Sequence, residues 1–154
     1  MKNRYLASLL LLAATTQLTA TAESFSMKTS LPTGSSLKIN LDRGLNVTFK
    51  WGNGITHSEI STGMPIIAEV VDESLTVTTD GNITQLYVND NALDELTVSS
   101  LTKLLVLDCN DNRLGNLNLS RQTALKTLWC ARNALTTLDL SKLPDLEKLN
   151  ASNN

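Results

Sequence analysis

Histidine, cysteine and aromatic side chains are scarce in this chain, and each shortage removes a class of function. A Ser-His-Asp or Cys-His centre needs a histidine base beside its nucleophile. The single histidine, His57, falls in a turn-rich stretch far in sequence from the two cysteines, Cys109 and Cys130. Two cysteines and one histidine also fall short of a zinc set, so no metal or other cofactor is expected. An excess of one charge is missing as well: 13 Lys and Arg against 15 Asp and Glu leave a formal charge of -2. That balance provides no basic stripe for a nucleic-acid backbone and no polybasic patch for a membrane surface. The acidic runs at Asn89-Asp90-Asn91 and Asn110-Asp111-Asn112 do not follow the twelve-position spacing of a calcium loop. Gly52 and Gly54 lack the lysine and helix of a phosphate cradle. No acid-base constellation emerges, and the chain is not expected to be an enzyme.

Only one apolar run is long, from Tyr5 to Ala14, and Thr15, Thr16 and Gln17 interrupt it before the ~20 residues of a membrane span. Preceded by Lys2 and Arg4 and followed by Ala20-Thr21-Ala22, it reads as a secretory signal with an A-x-A cleavage site. Residues 1–22 are therefore expected to be removed on export, to the surface, the medium or the periplasm. The mature chain would begin at Glu23. No cysteine near that junction offers a lipid attachment.

What the chain does have is an internal period of 21 residues from Ile83 to Asn154, of the form LxxLxCxxNxLxxLxLS. Its first position holds Ile83, Leu104, Leu125 and Leu146, and its fourth Leu86, Leu107, Leu128 and Leu149. The sixth holds Val88, Cys109, Cys130 and Ala151, and the ninth Asn91, Asn112, Asn133 and Asn154. Leu75 and Val77 are in phase with Leu96 and Val98, which extends the period back to a half-unit. One unit cannot bury its own leucines, but units stacked at ~4.8 Å place each leucine over its equivalent and line up a parallel sheet. The ninth-position asparagines suit a ladder of amides that satisfies inward-facing backbone groups. Cys109 and Cys130 fall on equivalent inward positions of adjacent strands. Their Cβ atoms should lie ~4.8 Å apart, wider than the roughly 3.8 Å of a disulfide, so buried free thiols are expected.

The stretch Leu128-Trp129-Cys130-Ala131-Arg132-Asn133-Ala134-Leu135-Thr136-Thr137-Leu138-Asp139-Leu140-Ser141 resembles the cysteine-containing 21-residue repeats of internalin-J-like and Bacteroidetes-type leucine-rich-repeat surface proteins. The likeness covers residues 75–154, with fewer units than is usual and a last unit left incomplete. It implies an exported adhesion or interaction protein. Phe49-Lys50-Trp51-Gly52-Asn53-Gly54 is similar to the V-x-W-G-D-G turn of β-modules that precede such repeats, with Asn53 where Asp is usual.

The expected fold is mostly β: a signal peptide at 1–22, a small β-rich cap over 23–74, and a short solenoid over 75–154 with a parallel sheet on its concave face. Strands are predicted at Phe25 to Thr29, Ser36 to Leu41, Leu45 to Trp51 and Pro65 to Val71. About 50 residues make a marginal core alone, so this segment is expected to pack on the open first coil. Because successive side chains on a strand point to opposite faces, three outward rows follow. They are Gln85, Val106, Thr127 and Lys148; Tyr87, Asp108, Trp129 and Asn150; and Asn89, Asn110, Ala131 and Ser152. Aromatics set among small polar residues suit a binding surface. Tyr87, Asp108, Trp129, Asn150, Asn89 and Asn110 are the candidate ligand-binding residues. The partner expected is a protein of host or envelope, or alternatively a glycan stacked on Trp129 and Tyr87. The last coil, carrying Leu146 and Leu149, presents an unpaired strand edge that invites self-association.

Overall fold

A computed structural model describes residues 22–154, so all but the last residue of the expected signal segment lies outside the described residues. The described chain is mostly β, with no helix among the described residues. Its strands are β1 (Glu23–Thr29), β2 (Ser36–Leu41), β3 (Asn46–Trp51), β4 (Thr56–Ile60), β5 (Ile66–Glu69), β6 (Ser74–Thr79), β7 (Gln85–Tyr87), β8 (Leu93–Thr97), β9 (Val106–Asp108), β10 (Thr127–Trp129) and β11 (Lys148–Asn150). They form a five-stranded sheet ordered β4-β3-β6-β1-β8 and a six-stranded sheet ordered β11-β10-β9-β7-β2-β5.

Alternation of apolar and polar residues makes most of these strands. In β2, Leu37, Ile39 and Leu41 are buried while Ser36 and Lys38 face solvent, and in β3 Val47, Phe49 and Trp51 point inward in the same way. Strand β4 is the exception. Thr56-His57-Ser58-Glu59-Ile60 has no such alternation and no residue below partial exposure, and it was expected as turn. It pairs with β3 at the sheet edge, where neither face needs an apolar row. His57 is therefore a strand residue with an exposed side chain.

All pairings within the five-stranded sheet are antiparallel. The six-stranded sheet changes character along its width. Strands β7, β9, β10 and β11 are parallel, with Leu86, Leu107, Leu128 and Leu149 in line, each 21 residues after the last. On the other side of β7, β2 joins antiparallel, setting Asn40 opposite Tyr87 and Leu41 opposite Leu86. Leu75 and Val77 lie on β6, and β1 runs between β6 and β8. The N-terminal strands thus enter both sheets beside the repeat-phase strands, and one continuous cluster of buried side chains runs from Phe25 to Leu143.

Polar groups stitch these parts together. Asn112 Oδ1 accepts from the N–H groups of Asn91 (3.1 Å) and Leu93 (2.9 Å), while its Nδ2 donates to the carbonyls of Val88 (3.0 Å) and Cys109 (3.0 Å). Asn133 repeats the arrangement with Leu114 N–H and Cys109 C=O, and Asn154 with Leu135 N–H and Cys130 C=O. Asn91 has no preceding unit to reach. Its amide bonds both the N–H and the C=O of Lys38 on β2, each at 2.7 Å. Asp42, after β2, accepts from the N–H groups of Thr84 and Gln85, and the buried Glu23 carboxylate accepts from Ile83 N–H. Each unit turns at the residue before its asparagine, since Asp90, Asp111, Arg132 and Asn153 have φ of 57°, 55°, 53° and 58°. This left-handed conformation costs most side chains roughly 1–2 kcal/mol, and Asn and Asp tolerate it best.

Candidate functional site

Every second side chain of the six-stranded sheet faces away from the core, and these side chains make the candidate site. Tyr87, Asp108 and Trp129 are half-buried beside fully buried Leu86, Leu107 and Leu128, and Asn150 is exposed at the end of the row. The parallel register places these four in one line across the strands, spaced at ~4.8 Å per strand. Tyr87 and Trp129 therefore stand about two strand spacings apart, ~9.6 Å, with Asp108 between them. The Tyr87 hydroxyl donates to Gln85 Oε1 (3.1 Å), which holds the ring along the sheet.

The line extends further than the repeat. Asn40 on β2 lies opposite Tyr87 and continues the row, and Lys38 faces outward two residues before it. Lys38, Asn40, Pro65, Tyr87, Asn89 and Asp90 together line a cleft of about 250 Å³ at the β2–β7 junction. Sequence reasoning missed Lys38 and Asn40. Their outward phase on β2 was legible, but nothing local signals that Asn40 on β2 would pair with Tyr87 on β7, 47 residues later. Asn89 is exposed beside this cleft. Asn110 is half-buried, with its Oδ1 accepting from Ala131 N–H (2.7 Å).

Ala131 departs from expectation, being fully buried rather than outward. The same turn follows the exposed Asn89 and the half-buried Asn110, so what differs at 131 is the side chain: a short methyl in a segment bonded to Asn110 on one side and to Ser152 on the other. At the rim, the Arg132 guanidinium pairs with the Asp111 carboxylate and holds it below the usual carboxylate range.

Burial pushes the Asp108 carboxyl upward, partly offset by the N–H of Asn110 that bonds its Oδ1 at 3.0 Å. A folded-state value above the unfolded one means that the folded chain keeps this proton to higher pH. The contribution of Asp108 is therefore most favourable below the ordinary aspartate range and declines as pH rises through the folded value. Asp108→Asn, which keeps the acceptor for Asn110, is expected to raise the melting temperature at neutral pH and to change it little near about pH 3. Thermal melts at the two pH values check this, and an equal gain at both would contradict it.

Cys109 and Cys130 are free and fully buried, and burial pushes both thiols up, away from thiolate reactivity. Alkylation of both is expected to be slow in the native state and rapid once the protein unfolds. Fast native labelling would place them elsewhere. Among the described residues no three His, Cys, Asp or Glu side chains converge as a metal site, and no helix is long and apolar enough to cross a membrane. A larger depression, about 390 Å³, lies on the five-stranded sheet among Ser26, Lys28, Lys50, Thr76, Glu95 and their neighbours. It presents the solvated side of an antiparallel sheet, and Trp51, the one aromatic residue at its margin, is buried. Comparison of the chain with protein-family models, curated proteins and solved structures gives no match.

Proposed function

We propose that this chain is an exported leucine-rich-repeat module that holds a protein partner on the outer, concave face of its six-stranded sheet. The observation that carries the reading is the in-register row Asn40, Tyr87, Asp108, Trp129 and Asn150, backed from Asn40 to Trp129 by the buried Leu41, Leu86, Leu107 and Leu128. Core side chains fix the positions of the outward ones, so the row is rigid before any partner arrives, and a preorganised surface loses less entropy on binding. Large aromatics among small polar groups match the composition of interface centres. The solenoid reading rests on the parallel strands 21 residues apart and on the asparagine bridges between successive units. Export rests on the N-terminal sequence alone.

A second reading has an observation of its own. Tyr87 and Trp129 flank Asp108, and the cleft with Lys38 and Asp90 lies beside Tyr87, an arrangement on which a glycan could stack and hydrogen-bond. A screen containing both glycans and host or envelope proteins separates the two readings. For the ligand that the screen finds, Trp129→Ala and Tyr87→Ala are each expected to weaken binding severalfold or more, as loss of ~2 kcal/mol at an interface centre implies. Binding unchanged by both substitutions would remove the row from the site.

A further inference from the structure

We propose that two copies of this chain pair through β4, in an antiparallel register centred on Ser58, to join their five-stranded sheets. Strand β4 ends that sheet, and β5 ends the six-stranded sheet beside it. Between them opens an apolar cleft of about 260 Å³, lined among others by Phe49, Trp51, Ile55, His57 and Ile67. The exposed large apolar side chains gather at this margin: Ile55, Ile60, Met64 and Ile67 are each more than half exposed. Elsewhere among the described residues only Leu149 on β11, nearly half exposed, is comparable.

The hydrogen-bonding parity of β4 suits a second strand. Trp51 N–H donates to Ile55 C=O and Ser61 N–H to Leu45 C=O, with Phe49 opposite His57 and Val47 opposite Glu59 between them. Bonded and non-bonded pairs alternate along an antiparallel ladder, so residues 55, 57, 59 and 61 turn their backbone groups toward β3. Thr56, Ser58 and Ile60 turn theirs away from it. A second β4 centred on Ser58 sets Ser58 against Ser58 and Thr56 against Ile60 in both directions, and every one of these pairs can exchange two bonds.

Side-chain pairing selects this register among its neighbours. Centred on Ser58, the pairing puts His57 of each copy opposite Glu59 of the other, on the face where His57 Nε2 already lies 3.7 Å from its own Glu59 Oε1. Centring one residue earlier opposes His57 to His57 and forgoes both His57–Glu59 pairs, and one residue later opposes the carboxylates of Glu59 to each other, which is unfavourable. The other edges carry features that discourage self-pairing: adjacent Asp94 and Glu95 on β8, Pro65 immediately before β5, and Lys148 on β11. Pairing through β4 leaves the outer face of the six-stranded sheet free, so the proposal stands or falls apart from the proposed function.

Sedimentation of the protein over a range of concentrations tests it. The expected result is a monomer–dimer equilibrium that Ser58→Pro weakens at least tenfold. Proline at 58 removes an outward N–H and no bond to β3, and Ser58→Ala, which loses only the contact with Thr48 Oγ1, should still dimerise. Should Ser58→Pro disturb folding, the His57–Glu59 pair gives the second readout. His57→Glu should weaken the dimer, and combining it with Glu59→His should restore it by exchanging the partners. A strictly monomeric protein would overturn the proposal. So would a dimer indifferent to Ser58→Pro and His57→Glu, or one abolished by Leu149→Lys instead, which would place the contact on β11.

Discussion

Replacing Asn112 with alanine is expected to destabilise the fold by about 3 kcal/mol or more, a large loss for an asparagine. The amide makes contacts in both directions between units, and not all of its partners have a substitute. The carbonyls of Cys109 and Asn110 keep second donors in Asn133 Nδ2 and Asp90 N–H. The N–H groups of Asn91 and Leu93 and the carbonyl of Val88 lose the partner that Asn112 supplied, in a buried setting. Leaving a buried polar group unsatisfied costs roughly 1–3 kcal/mol, and three such groups set the scale of the effect. Denaturant unfolding measures it. Asn154→Ala is the comparison, because Asn154 is exposed, and its loss should cost clearly less. Equal costs at the two positions would mean that the amide ladder contributes little to stability.

Leu107→Ala is expected to cost about 2–5 kcal/mol, the range for deleting most of a fully buried leucine side chain from a core that relaxes only partly. Leu107 has Leu86 and Leu128 on the flanking parallel strands, so a cavity there is walled on both sides. Leu149→Ala, on β11 at the sheet edge with nearly half its surface exposed, should cost much less. The comparison isolates position within the stack from the chemistry of the substitution, since residue type and phase within the unit are the same. A uniform cost along the four in-phase leucines would contradict the burial gradient.

The parts legible from sequence are those with a short-range signature. The 21-residue phase located the buried leucines, the inward cysteines and the asparagine bridges, because each recurs at a fixed spacing and performs the same task in each unit. Alternation likewise located β2 and most of β1, and the predicted spans contain the whole of β3 and β5. Strand β4 escaped because an edge strand exposed on both faces has no reason to alternate. The strand character of Leu93–Thr97 was also unseen. It depends on β1 lying alongside, and the equivalent segments of later units, which have no such neighbour, are not strands. In the candidate site, Tyr87, Asp108, Trp129 and Asn150 followed from phase, whereas Asn40 and Lys38 depend on a pairing between distant segments. Ala131 was misplaced because phase alone does not register side-chain size: a methyl group is buried at a position where Asn89 and Ser152 are exposed.

The central claim is that the outward row binds while the inward row folds, and Trp129 tests it most directly because it sits between buried Leu128 and buried Cys130. The measurement is the melting temperature of Trp129→Ala beside its affinity for the ligand found by screening, with Leu107→Ala as the reference for core damage. The account predicts a melting temperature close to that of the unaltered protein and binding weakened severalfold or more. A melting temperature lowered as far as that of Leu107→Ala, or binding left intact, would contradict it.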